Sequence, residues 1–204
     1  MARVERFIQK LNEKHIAQFV MLNPKNITYV TGFTGDESLL LATPNKLTLV
    51  TDGRFVEQAK REMPENVTIY RWQKGLLADT IKLINESGLD SVVFEADQLT
   101  YEQGRKFVEA ISPDVIPMSG VVEEMRWTKD PEELADIRKA VQVVDATFLY
   151  ILGEIHPGMT EMAVAAKMEY FMKTHGGEGT SFDTIVVSGI RSISVLCEAS
   201  HKVL

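Results

Sequence analysis

The chain of 204 residues is long enough for one large domain, or for one domain and part of a second. Its 29 acidic and 22 basic residues give a net charge of −7, which disfavours nucleic acid and anionic membranes as partners. No apolar run could span a bilayer, and the single cysteine, Cys197, cannot form an internal disulfide. We therefore expect a cytoplasmic protein without a membrane partner.

From the amino end, an amphipathic helix is expected first, and strands are expected at 15–22 and 27–30. Apolar segments at 39–42 and 47–50 flank Thr43-Pro44-Asn45-Lys46, a composition typical of a hairpin turn. Helical periods and strand-like runs then alternate, with helices predicted at 54–62, 76–84 and 101–111 and strands at 67–70, 91–94 and 114–117. This alternation predicts an α/β fold, and the hairpin makes its sheet mixed.

A second region begins at a strong helix start, where Asp130 can cap the helix, Pro131 fits its first position and Glu133 can reach back to the cap. Apolar residues then recur at spacings of three and four, at Leu134, Ile137, Val141, Val144, Phe148 and Ile151. Thr160 can cap a second helix that Gly176-Gly177 ends, and the β-branched run 184–187 predicts a strand.

Metal-dependent hydrolysis would need His, Asp, Glu or Cys side chains clustered around the metal ion. The four histidines His15, His156, His175 and His201 show no ligand pairing, so we assign no metal ligand. Cys197 lacks a neighbouring base, which makes a nucleophilic role weak. Asp52 and Arg54 are expected to form a structural ion pair at a turn.

Five segments, in order, resemble the pita-bread metallopeptidases, the family of Xaa-Pro aminopeptidase, prolidase and creatinase. The segment 26–35 resembles the family's Ile-x-Tyr-x-Thr/Ser-Gly-Phe-x-Gly, and 51–59 its Thr-Asp-x-Arg-Tyr-x-x-Gln-Ala. The segment 126–133 resembles Arg-x-x-Lys-x-Pro-x-Glu at the helix between the two domains of the family. The segments 153–161 and 179–192 resemble the opening of the catalytic domain.

This resemblance implies a creatinase-like amino-terminal domain at 1–126, then a linker helix and the first fragment of a pita-bread α+β domain at 127–204. In an intact family member, two divalent ions, commonly manganese, cobalt or zinc, activate a water that attacks the bond before proline. The resemblance also implies a homodimer and a proline-containing peptide substrate. Phe182 matches a position that lines the substrate pocket in relatives, although a place in the structural core is at least as strongly expected for it.

The sequence departs from the family pattern after Ser192. The family continues with two residues and Pro-His-Gly, whereas residues 193–198 do not fit, and Leu196 stands where the catalytic histidine belongs. The leucine side chain at position 196 can donate neither a proton nor a hydrogen bond. Residues 199–204 resemble the family again. The departure at residues 193–198 is therefore explained either by a local disturbance of the reading frame in the coding sequence or by natural divergence. The remaining metal ligands do not appear before Leu204.

We therefore expect the amino-terminal part of an Xaa-Pro dipeptidase or aminopeptidase, inactive as this truncated chain, with no catalytic residue assigned. The alternative is a non-enzymatic dimerisation or protein-binding module of the same fold, because some relatives have lost the metal and keep the fold for protein contacts.

Overall fold

The computed structural model describes residues 3–193 and 197–204. The chain divides into two compact units, unit 1 at Met1–Thr128 and unit 2 at Lys129–Leu204. The domain boundary between residues 126 and 127 that the sequence suggests stays a prediction. None of the helices in the described ranges combines the length and the apolar character that a bilayer crossing requires.

Unit 1 is built on a six-stranded sheet in the order β4-β3-β2-β1-β5-β6. The strands β1–β2 and β2–β3 pair antiparallel and the other neighbours pair parallel, which confirms the predicted mixed sheet. In chain order the strands are β1 (Phe19–Met21), β2 (Ser38–Thr43), β3 (Lys46–Thr51), β4 (Val67–Arg71), β5 (Ser91–Glu95) and β6 (Asp114–Met118).

Helices cover both faces of this sheet because successive strand side chains point to opposite sides. Phe19 and Met21 of β1 join one core, to which α1, α2, α3 and α6 contribute, whereas Val20 joins a second core with α4 and α5. The helices are α1 (Arg3–Glu13), α2 (Pro24–Thr31), α3 (Val56–Glu62), α4 (Leu76–Asn85), α5 (Tyr101–Ala110) and α6 (Val121–Trp127).

The strand predicted at 27–30 is wrong, because these residues form the middle of helix α2. The Asn23 side chain accepts a hydrogen bond from the Lys25 amide, Pro24 opens the helix, and Gly32 ends it at a φ of 80°. The strand predicted at 15–22 forms only at Phe19–Met21, since His15 has a left-handed backbone (φ 55°) directly after α1.

Unit 2 consists of α7 (Pro131–Glu154), α8 (Glu161–Thr174) and a short 3-10 helix at Gly189–Ile193. The capping box predicted at Asp130 and Glu133 is present, and the Thr160 hydroxyl accepts from the Ala163 amide at the start of α8. Ile151, Met159 and Val164 form a small core between the two helices. Residues 200–204 lie beside the start of α8, where Thr160 and Val203 form an antiparallel bridge.

The strand predicted at 184–187 is wrong, since no strand is present there in the described part of unit 2. A strand needs a neighbour for its backbone hydrogen bonds, and none of the described strands pairs with this segment. Side-chain contacts hold it instead. The Thr184 hydroxyl donates to Glu169 Oε1 at 2.6 Å, and Val186 packs against the core of unit 2.

Candidate functional site

The most densely bonded polar centre of unit 2 is the side chain of Glu161, the first residue of α8, which is fully buried. Its Oε1 accepts from the backbone N–H of Ser188 at 2.8 Å and from the Ser188 hydroxyl at 3.0 Å. Its Oε2 accepts from the Ser200 N–H at 3.2 Å and from the Ser200 hydroxyl at 2.7 Å. Arg191 completes the site with an ion pair of 3.2 Å.

These donors keep Glu161 ionised. The Ser200 hydroxyl, then the hydroxyl and amide of Ser188 and the charge of Arg191, lower the pKa of Glu161 from 4.5 to about 2 against the opposing effect of burial. A carboxylate offers about four acceptor positions, and the two serines occupy four. Glu161 therefore has no acceptor position left for substrate or metal, and a carboxyl with so low a pKa is a poor base near neutral pH. Its chemistry is that of a positioning group.

The Glu161 centre joins two sequence segments that lie on either side of the block that departs from the family pattern. Ser188 and Arg191 belong to the segment 179–192, and Ser200 belongs to the segment that follows the block. Lys202 reinforces the junction, because its Nζ donates to the Ser188 hydroxyl at 2.5 Å. Leu196, which stands at the expected histidine position, lies outside the described residues.

Phe182 lies between α8 and the 3-10 helix, in a stretch without helix or strand. Its side chain is 71% exposed, so it is not one of the buried side chains that form the core of unit 2. Phe182 belongs to the same segment, 179–192, as Ser188 and Arg191 of the Glu161 centre. The assignment of Phe182 to a substrate pocket stays a prediction.

In unit 1, Asp52 and Arg54 form the ion pair that the sequence predicts. Arg54 Nε donates to Asp52 Oδ2 at 2.8 Å, and the Arg54 amide donates to Oδ1 at 2.7 Å. The side-chain hydrogen bond from Arg54 is the largest cause that lowers the pKa of Asp52. Both carboxylate oxygens of Asp52 therefore bond to Arg54 in the turn after β3, and the role of the Asp52–Arg54 pair is structural.

A second buried carboxylate, Glu95, lies at the end of β5. Its Oε2 accepts from the backbone N–H groups of Leu22 and Asn23, both at 2.6 Å, and its Oε1 accepts from the Asn26 side chain. Arg126 in turn donates to Asn26 Oδ1 at 2.8 Å. Burial raises the pKa of Glu95, although these hydrogen bonds oppose that effect. Glu95 thus fastens the start of α2 to the sheet.

A pair of divalent ions needs a cluster of His, Asp, Glu or Cys ligands. Within 3–193 and 197–204, no three His, Cys, Asp or Glu side chains lie together in a way that could hold a metal ion. The residues present therefore do not fit the two divalent ions that the sequence resemblance implies for an intact family member. Cys197 is half-buried and has no disulfide partner.

Neither Glu161 nor Glu95 stands out in the sequence as a site residue. Glu161 carries one local signal, its place directly after the helix cap Thr160 in the segment 153–161. Its hydrogen-bond partners lie 27 and 39 residues away, and those of Glu95 lie 69 to 73 residues away. Such partners come together only in the folded chain.

Comparison with known protein families agrees with this arrangement. Residues 3–128 match the creatinase/prolidase N-terminal domain, and residues 135–204 match metallopeptidase family M24. The chain belongs to the creatinase/prolidase family, and it carries the N-terminal domain followed by the opening of the M24 domain. The resemblance inferred from the five sequence segments is thereby confirmed.

Individual relatives share both units. An uncharacterised peptidase of Bacillus subtilis is 30% identical over 203 residues, covering 99% of this chain and 57% of the relative. The structure of an Xaa-Pro dipeptidase from Bacillus anthracis aligns with a TM-score of 0.90 at 34% identity, covering 99% of this chain and 57% of that one. The structure of an X-Pro aminopeptidase from Thermotoga maritima aligns with a TM-score of 0.87 at 32% identity, covering 100% of this chain and 58% of that one. The chain thus spans a little over half the length of these relatives.

Proposed function

We propose that this chain is the amino-terminal part of a cytoplasmic Xaa-Pro dipeptidase or aminopeptidase, whose intact form hydrolyses peptide bonds before proline with two divalent ions. The order of the two matched domains carries this proposal, since residues 3–128 match the creatinase/prolidase N-terminal domain and residues 135–204 match metallopeptidase family M24. Within the second match, the Glu161 centre fastens the Ser-Gly-x-Arg segment at Ser188 and Arg191 to the segment around Ser200.

The chain itself is proposed to be inactive. Hydrolysis by this family depends on clustered metal ligands, and the described residues offer no such cluster. Leu196 also lacks the hydrogen-bonding group of the histidine that it replaces. These 204 residues contribute a structural scaffold to the intact enzyme. Glu161 and its partners hold the segment that carries Phe182, whose side chain is proposed to line the substrate pocket.

The reading frame that follows Leu204 in genomic DNA tests this proposal. We expect it to continue with Asp, Asp, His, Glu and Glu in family order. The extended protein in which the family's Pro-His-Gly replaces Val195, Leu196 and Cys197 should cleave an Xaa-Pro dipeptide with added manganese. The matched control is this restored protein with its first aspartate changed to asparagine, which should be inactive. A native stop codon after Leu204, or a restored protein with all five ligands and no such activity, would contradict the proposal.

A second candidate function is a dimerisation or protein-binding module without catalysis. The observation that favours it is a row of exposed apolar side chains along α7, formed by Ile137, Val141, Val144 and Phe148. Exposed apolar rows of this kind are a common feature of protein interfaces. We propose that a second copy of the chain covers this row in a homodimer.

Changing Val144 to aspartate should weaken this dimer by roughly tenfold or more, because a charge would have to be buried in an apolar contact. Analytical ultracentrifugation over a range of protein concentrations measures the effect. The control is Gln142→Asp, which adds the same charge at an exposed polar position of α7 and should leave association unchanged. A wild-type chain that stays monomeric at every concentration would rule out the homodimer.

A further inference from the structure

The sheet of unit 1 ends in two edge strands, β4 and β6, since no strand in the described residues pairs with their outer sides. An edge strand presents unpaired backbone N–H and C=O groups, which can pair with a strand of another chain. Folded proteins usually block such an edge, for example with a proline. The two edges of this sheet differ in this respect.

The β6 edge is closed by a proline. The Met118 carbonyl accepts from the Ala96 N–H at 3.1 Å, so Met118 directs its backbone groups towards the end of β5. Because successive residues of a strand direct these groups to alternate sides, Val115 and Pro117 face outward. Pro117 has no N–H to donate, so another strand cannot form a complete ladder of hydrogen bonds along β6.

The β4 edge has no such block. The Trp72 N–H donates to the Thr51 carbonyl of β3 at 3.0 Å, and by the same alternation Tyr70 also directs its backbone groups towards β3. Ile69 and Arg71 therefore direct theirs outward, and neither residue is a proline. Within the described residues no strand pairs with this side of β4, so the N–H groups of Ile69 and Arg71 are available to another strand.

The charges along β4 indicate which strand fits this edge. Glu65, in the turn before β4, and Arg71, at its end, are both exposed, and neither forms an ion pair with the described residues. An antiparallel copy of the same strand places the acidic start of each β4 beside the basic end of the other. A parallel copy would bring like charges together. The β4 edge is therefore complementary to itself in the antiparallel direction.

We propose that β4 pairs antiparallel with β4 of a second copy of the chain, across a two-fold axis near Ile69, which joins the sheets of the two copies into one. The outward backbone groups of the two strands bond to each other, and Glu65 of each copy pairs with Arg71 of the other. Thr68 and Tyr70 form cross-strand contacts on the other face of the sheet. This contact is made by unit 1 and is independent of the apolar row on α7, so a chain with both contacts can assemble beyond a dimer.

Amide hydrogen exchange followed by NMR tests this pairing, in the full chain with Val144→Asp so that the apolar row on α7 does not contribute. We expect the Ile69 and Arg71 amides to exchange roughly tenfold or more slowly at high than at low protein concentration, because only the second copy protects them. The Val115 amide, which faces outward on β6, is the internal control and should exchange equally fast at both concentrations. Protection of Ile69 and Arg71 that is independent of concentration, or exchange as fast as that of Val115 throughout, would overturn the proposal.

Exchanging the two charges tests the antiparallel direction. In low-salt buffer, Arg71→Glu and Glu65→Arg should each weaken association of the Val144→Asp chain roughly tenfold, because each change makes both charge pairs of the dimer repulsive. The double variant restores opposite charges and should associate as tightly as the Val144→Asp chain alone. Lys106→Glu on the exposed side of α5 makes the same change of charge as Arg71→Glu and should have no effect. Sedimentation over a range of concentrations measures association, and a double variant as weak as the single ones would contradict antiparallel pairing.

Discussion

Replacing Glu161 with glutamine should loosen unit 2 more than any other single conservative change in that unit. The reason is geometric, because the two backbone donors reach different oxygens, Ser188 N–H on Oε1 and Ser200 N–H on Oε2. A glutamine has one oxygen, so its NH₂ group would face one backbone N–H whichever way the amide is turned. A serine hydroxyl can rotate to accept, but a backbone N–H cannot.

Hydrogen exchange measures this effect at the Ser188 and Ser200 amides and along the start of α8. We expect Glu161→Gln to speed exchange there by roughly tenfold or more, since hydrogen bonds to charged groups are stronger than neutral ones. The control is Glu178→Gln, which removes the same charge at an exposed position of unit 2. Equal exchange rates in the two variants would show that the Glu161 centre does not hold unit 2 together.

The same residue predicts how unit 2 responds to acid. Since the pKa of Glu161 falls from 4.5 to about 2 on folding, its stabilising contribution is complete above pH 4.5 and is lost as the pH falls towards 2. In the wild-type chain, the exchange rates of the unit 2 amides, corrected for their intrinsic pH dependence, should therefore increase as the pH is lowered from 4.5 towards 2. In Glu161→Gln this part of the pH dependence should be absent.

Replacing Glu95 with alanine should destabilise unit 1 by about 3 kcal/mol, because the amides of Leu22 and Asn23 would be left buried without an acceptor. Glu95→Gln should cost less, about 1 to 2 kcal/mol. Both backbone amides use the same carboxylate oxygen, so one amide oxygen can serve both, and only the Asn26 side chain, which donates to Oε1, would face the glutamine NH₂ group. The glutamine also avoids the burial of charge that raises the pKa of Glu95.

Urea unfolding followed by tryptophan fluorescence suits this measurement, since both tryptophans, Trp72 and Trp127, belong to unit 1. Glu109→Ala, on the exposed side of α5, serves as the control and should change the free energy of unfolding by no more than about 0.5 kcal/mol. If Glu95→Gln proved as damaging as Glu95→Ala, the charge of Glu95 and not its acceptor geometry would be what stabilises unit 1.

Sequence reasoning succeeded where structure is determined locally. The hairpin at β2–β3, the cap of α7 at Asp130 and the cap of α8 at Thr160 are all signalled by neighbouring residues. It failed at 27–30, where β-branched residues suggested a strand although Asn23-Pro24 and Gly32 bound a helix. It failed at 184–187 because a strand depends on a partner that a local pattern cannot reveal. Helix α6 was missed since seven residues give little periodicity.

The polar centres were harder to predict for a different reason. Glu161 and Glu95 are ordinary residue types, and their importance comes from burial and from partners distant in sequence. By contrast, Asp52 and Arg54 are two residues apart, and their ion pair could be predicted. The family could be predicted as well, because its short segments are recognisable even where the fold of one segment is misjudged.

We propose that this chain carries the family scaffold without an assembled metal centre. The most direct measurement is the release of proline from an Xaa-Pro dipeptide by the purified 204-residue chain with and without manganese. We expect no release above that of buffer under either condition, from a chain whose circular dichroism shows that it is folded. Saturable, manganese-dependent release that a chelator abolishes and that copurifies with the chain would contradict it.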